Sequence, residues 1–157
     1  MKYIICLSIL LALGACNSDN NTTGGGDGGI NGGVAPLNPG QIKTSLTGSS
    51  WSERGVIFQG NYQPSQACDA DDVFYFVDDK NYQYTENTPC SNTDVDSSGT
   101  WNVVTNAAGK VMLSLVDAVN GPLEMEIVSV SGTEARYNVE ATNNGQPITI
   151  TIIMDKI

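Results

Sequence analysis

At 157 residues with a formal net charge of −10, the chain is short, acidic and free of histidine. The missing imidazole excludes Ser-His-Asp and Cys-His nucleophile activation, and any zinc site that needs a His ligand. The seven Lys and Arg residues are scattered and form no basic patch for nucleic acid.

The chain starts with a leader pattern. Lys2 supplies a positive charge, and residues 4–13 form an apolar run of about ten residues, the length of a signal-peptide core. A spanning helix needs roughly 20 apolar residues, so this run is too short for a permanent anchor. Leu13-Gly14-Ala15-Cys16 fits the box cut by bacterial lipoprotein processing. Residues 1–15 are therefore predicted to be a lipoprotein signal peptide, and Cys16 the lipid-attachment residue. Each buried acyl methylene adds about 0.8 kcal/mol of membrane affinity. The expected location is the cell envelope, lipid-anchored and by preference in the outer membrane, with the membrane as the first partner. Cys6 falls inside the leader.

Residues 16–40 are expected to be the lipidated Cys and a disordered tether. Asn, Thr and Gly dominate, and a segment with so little to bury cannot offset its ordering entropy. Twenty-odd flexible residues reach roughly 25–30 Å.

Residues 41–157 read as one all-β domain, with a helical turn near Ile42 to Leu46 closing one end. Residues 51–59 form the first predicted strand, with Gly55 as a bulge. Residues 73–77 are apolar on both faces, residues 82–85 alternate, and residues 99–104 carry Trp101 and Val103. Residues 111–116 follow a turn at 106–109. Leu123, Met125 and Ile127 then alternate with Glu124 and Glu126, and Ala135, Tyr137 and Val139 alternate with polar partners. Asn143-Asn144-Gly145 is the strongest hairpin signal, because a primed turn needs positive φ. Residues 147–155 close the set. Consecutive antiparallel strands with short links form a meander, and about eight close comfortably into a small barrel. An up-and-down eight-stranded antiparallel β-barrel is the predicted fold, with a two-sheet sandwich as the alternative.

Once Cys16 is acylated, Cys68 and Cys90 are the cysteines left in the mature chain. In an oxidising compartment an isolated pair is expected to be a structural disulfide. Their separation does not suit a thioredoxin-type redox pair.

Several residues together resemble the lipocalin-like domain of small bacterial lipoproteins. They are Trp51 after Leu46-Thr47-Gly48, Cys68-Asp69-Ala70-Asp71-Asp72 before an aromatic strand, Tyr82, Cys90, and Gly99-Thr100-Trp101. The Leu113/Leu115 strand and Ile127-Val128-Ser129-Val130-Ser131 extend the likeness over nearly all of the folded domain. The resemblance implies a barrel secured by a Cys68–Cys90 bridge on an envelope-attached protein. The first Gly-to-Trp spacing, Gly48-Ser49-Ser50-Trp51, is one residue longer than the Gly-x-Trp of true lipocalins.

Trp51, Phe74, Phe76, Tyr82 and Trp101 are the candidate ligand-binding residues, with Tyr82 and Trp101 expected to face the mouth because each has a polar handle. The close carboxylate sets, Asp71/Asp72, Asp78/Asp79 and Glu124/Glu126, are read as solvated surface, since a glycosidase needs two converging on a cleft. Asp94 and Asp96 resemble the first half of a calcium loop, but Thr105 stands where the bidentate Glu would be, so a polar turn is expected there. No catalytic residue, metal or cofactor is predicted, and the protein is not read as an enzyme. Two functions remain: a tethered barrel binding a small apolar ligand, which is favoured, or a solid-core protein-interaction or structural module of inhibitor or adhesin type. Nucleic acid is not an expected partner.

Overall fold

The structure, a computed structural model, describes residues 37–92 and 94–157. The predicted leader, Cys16 and residues 17–36 of the tether lie outside the described residues. In chain order the elements are α1 (Pro39–Leu46), β1 (Ser49–Phe58), β2 (Asn61–Pro64), α2 (Ala67–Ala70), β3 (Val73–Phe76), β4 (Asn81–Thr85), β5 (Ser97–Thr105), β6 (Val111–Asp117), β7 (Gly121–Val130), β8 (Glu134–Asn143) and β9 (Gln146–Lys156).

The strands form an antiparallel meander that closes on itself. From β3 to β9 each strand pairs with the next, and β9 returns to β1 from Trp51↔Lys156 to Phe58↔Ile150. The opposite edge of β1 is shared. Its first residues pair with β3, Ser49↔Phe76 to Trp51↔Phe74, and its last with β2, Gly55↔Pro64 to Phe58↔Asn61. The result is the predicted eight-stranded barrel with β2 as an additional strand on its flank.

Local sequence explains the ring. In β6, Val111, Leu113 and Leu115 are buried while Met112, Ser114 and Val116 between them are not, the alternation that sends every second side chain inward. At the β8–β9 hairpin, Asn144 and Gly145 take φ of 50° and 78°, the left-handed values that the Asn-Gly signal predicts. The expected irregularity near Gly55 is present: the β1–β9 register shifts between Glu53 and Gly55, leaving Arg54 as the extra residue. Gly55 is needed there for room, because a Cβ would lie 2.4 Å from the Gln63 carbonyl oxygen of β2.

Helix α1 begins at Pro39, inside the stretch read as tether. Pro39 suits the first turn of a helix, and the Asn38 side chain caps it by accepting from the backbone N–H groups of Gly40 at 2.9 Å and Gln41 at 3.3 Å. The helix spans the expected helical turn and inserts Ile42 and Leu46 into the core, with Leu37 packing against the same cluster. Among the described residues no helix is long and apolar enough to cross a membrane.

Candidate functional site

The five predicted ligand-binding residues come together, but as packing. Phe76 and Trp101 meet edge to face with ring centres 4.6 Å apart, and Phe74 stacks on Tyr82 at 4.7 Å. Trp51, Phe76, Tyr82 and Trp101 are buried in the core and Phe74 packs against it. Aromatic pairs in these geometries contribute about 0.5–1.5 kcal/mol beyond their area burial. The expectation that Tyr82 and Trp101 face an open mouth is corrected. The Tyr82 hydroxyl donates to Asp117 Oδ2 at 2.7 Å, and the Trp101 indole N–H donates to the Asp78 carbonyl at 2.9 Å. Lys43 of α1 sits 5.5 Å over the Trp101 ring and covers it.

Asp117 is a buried carboxylate in phase with Val111, Leu113 and Leu115, one residue beyond the predicted strand 111–116. Tyr82, Gly99 and Asp117 lie side by side on β4, β5 and β6. Gly99 has no side chain to block the reach of Tyr82 across β5. Burial pushes the Asp117 carboxyl up, but hydrogen bonds from Tyr82, Asn120, Ser97 and Val119 outweigh it and hold the group below the ordinary carboxylate range.

The most concentrated polar chemistry lies elsewhere, around the disulfide. Cys68 in α2 is bonded to Cys90 in the loop after β4, with Cα atoms 5.3 Å apart. The bridge ties α2 to that loop and gathers acidic residues from separate elements. Glu53, Asp69, Asp72, Phe74, Tyr84 and Met154 line a cleft of about 100 Å³. Trp51 and Glu53 lie on one face of β1, so the alternation that buries Trp51 also turns Glu53 inward. Burial pushes the Glu53 carboxyl up; a 2.6 Å hydrogen bond from the Ser65 hydroxyl opposes this, and the charges of Asp69 and Asp72 add to it. Asp69 is raised by burial and by Asp72, Asp94 and Asp71.

Asp72 is 7% exposed. It accepts from the Tyr84 hydroxyl, while the Asn87 backbone N–H donates to its other oxygen at 3.3 Å. Tyr84 also contacts Glu86 Oε2 at 2.9 Å. Burial and these two carboxylates push the Tyr84 hydroxyl far above its ordinary value, so it stays protonated.

Compared with known proteins, the chain matches no family model and no curated protein sequence.

The chemistry of the cleft follows from its dimensions and partners. Three carboxylates converge there, which the sequence set as the condition for a glycosidase-like pair. A volume near 100 Å³ is nevertheless far below the roughly 300–1,000 Å³ of small-molecule sites. Cys68, Asp69 and Cys90 place potential ligand atoms within 4.8 Å of one another, but the two sulfurs are bonded to each other, leaving Asp69 as the one free donor of that group. Asp94 accepts from the Ser91 N–H at 2.6 Å and hydroxyl at 2.9 Å, and Asp96 from the Glu86 N–H at 2.8 Å. Asp94 thus closes a polar turn with Ser91, whereas Asp96 reaches across to the end of β4. Of the carboxylate sets named from sequence, only Asp71/Asp72 belongs to this region; Asp78 closes the β3–β4 turn by accepting from the Lys80 and Asn81 N–H groups, and Glu126 pairs with Lys110 at 2.8 Å.

Proposed function

We propose that this is an envelope lipoprotein, acylated at Cys16, whose barrel is a solid scaffold that presents its loops to a protein partner. The observation that carries the reading is the filled interior. Trp51, Phe76, Tyr82 and Trp101, the side chains best suited to line a ligand cavity, are each at most 3% exposed and belong to one buried core cluster, with Phe76 against Trp101 and Tyr82 against Phe74. An eight-stranded barrel is just wide enough to be filled in this way. The Cys68–Cys90 bridge suits an oxidising compartment outside the cytoplasm and supports the envelope location, with the outer membrane as the proposed address. Binding of a small apolar ligand by the barrel finds less support, because the cleft beside Phe74 is small and rimmed by carboxylates. The reading includes no catalytic step.

Two measurements test it. Intact mass of the protein extracted from membranes should show the leader removed and acyl chains on Cys16; an uncut leader removes the anchor. Native mass spectrometry and thermal shift against a lipophile panel should show no bound lipid and no stabilisation. A co-purified lipid, or a stabilising lipophile, would return the function to ligand binding.

A further inference from the structure

Tyr84 has one hydroxyl proton, yet its oxygen lies within hydrogen-bonding distance of two carboxylates, Asp72 Oδ2 and Glu86 Oε2. A phenol donates one hydrogen bond, and an ionised carboxylate donates none. With both acids ionised, one carboxylate oxygen faces only the lone pairs of the tyrosine. The contacts are satisfied when one of the two carboxyls is protonated and donates to the Tyr84 oxygen, while Tyr84 donates to the other. We propose that Asp72, Tyr84 and Glu86 share one proton beyond the tyrosine's own, and that this proton latches the loop after β4 onto the start of β3, releasing it as the surroundings move from acid toward neutral.

The neighbours favour retention of that proton. Glu53 of β1, Asp69 of α2, Asp71 of the turn before β3 and Asp94 of the loop after Cys90 all act on the cleft with negative charge. Among the described residues, none of the ion pairs brings a Lys or Arg to this group. Burial first, and then like charge, raises both Asp72 and Glu86, with the Tyr84 hydrogen bonds acting in opposition.

The latch holds a definite segment. Beyond the triad, the Asn87 N–H bonds Asp72, its side chain amide donates to the Asp71 carbonyl, and the Glu86 N–H bonds Asp96. When the extra proton leaves, two negative groups compete for one donor and the β4–β5 loop loosens around its fixed point at Cys90. The disulfide limits how far it can travel.

Carboxyl-carbon NMR of the full chain, followed from acid through neutrality, tests the proposal together with hydrogen exchange at the Asn87 amide. One carboxyl of the Asp72/Glu86 pair should retain its proton well above the ordinary range, the two titrating as a coupled unit. Asn87 exchange, corrected for its intrinsic pH dependence, should accelerate over the same step. In Glu86→Gln the amide supplies the missing donor permanently, so the step should vanish and Asn87 should stay protected through neutrality. Asp72→Asn should act alike. Ordinary titration of both carboxyls, or an unchanged Asn87 profile in Glu86→Gln, would overturn the latch. Should neither variant fold, the titration of the unmodified protein decides alone.

Discussion

Tyr82 and Asp117, 35 positions apart, are joined by a buried 2.7 Å hydrogen bond that crosses β5 over Gly99. The same carboxylate closes the turn into β7 by accepting from the Val119 and Asn120 N–H groups, each at 2.7 Å. One side chain thus links three strands and a turn. Hydrogen bonds to a charged group contribute about 1.5–3 kcal/mol each when lost from a buried site, though not additively. Asp117→Ala should therefore lower stability by about 3 kcal/mol or more, read as a lower urea midpoint. A midpoint within error of the parent would show that the turn holds without it.

Stability should respond to pH in two opposite ways. Asp117 has its carboxyl held below the ordinary range, so its contribution is present above the unfolded value and is lost as pH falls through the folded one. Glu53 is raised, so the folded state holds its proton more tightly. Its contribution is full below the unfolded value and declines as pH rises through the folded one. Thermal midpoints should accordingly fall both in strong acid and on approach to neutrality. Asp69, Asp72 and Glu86 are raised as well, so Glu53→Gln should reduce the second decline without abolishing it and leave the first; a parallel shift at every pH would remove Glu53 as a contributor.

Gly99 is fixed by crowding. A Cβ there would sit 2.0 Å from the Val116 carbonyl oxygen, a backbone atom of the paired strand. Overpacking commonly costs about 1–3 kcal/mol, and a backbone neighbour cannot swing aside. Gly99→Ala should reach the upper part of that range in chemical denaturation and should disturb the Tyr82–Asp117 bond behind it. Full retention of stability would mean that β5 and β6 can part cheaply.

Removing the covalent tie between α2 and the β4–β5 loop is a separate test. Cys68 and Cys90 are 22 residues apart, for which the chain-entropy account gives about 3 kcal/mol. The double change to Ser should show that loss, with hydrogen exchange rising first in residues 67–72 and 86–96. A uniform rise across all strands would show that the bridge supports the whole barrel instead of this end.

Phe76 tests the filled interior directly. It is 1% exposed and contacts Phe74 and Trp101 through its ring. Phe76→Ala should cost about 3–5 kcal/mol and alter the Trp101 near-ultraviolet signal. A cost under about 1 kcal/mol would point to a loosely occupied interior.

Much of the barrel was legible because its period is simple. A run apolar on both faces located β3, alternation located β4 and most of the later strands, and Asn144-Gly145 marked the last hairpin. β2 escaped because Asn61-Tyr62-Gln63-Pro64 is exposed throughout and ends in proline, so no buried face imprints a pattern on it. It pairs only because Gln59 and Gly60, with φ of 51° and 79°, fold the chain back onto β1. The four-residue α2 left no periodic trace either. The aromatic set was visible too, but composition cannot distinguish side chains that line a space from side chains that occupy it. The acidic cleft was hidden for another reason. Glu53 on β1, Asp69 and Asp72 around α2, and Tyr84 and Glu86 at the end of β4 come from three segments, and the β1–β3 pairing, the β3–β4 hairpin and the Cys68–Cys90 bond bring them together. The density of acids beside Cys68 was the one local signal.

The pairing of β9 with β1 sets when the ring can form. Phe58 meets Ile150 and Trp51 meets Lys156, so the first described barrel strand waits for the last described one. A nascent chain stopped before Ile150 would carry two raw sheet margins, each able to recruit another molecule. Completion of the circle therefore rests on a contact of high sequence separation, the kind that slows folding, and a chain without it would leave both margins open to association.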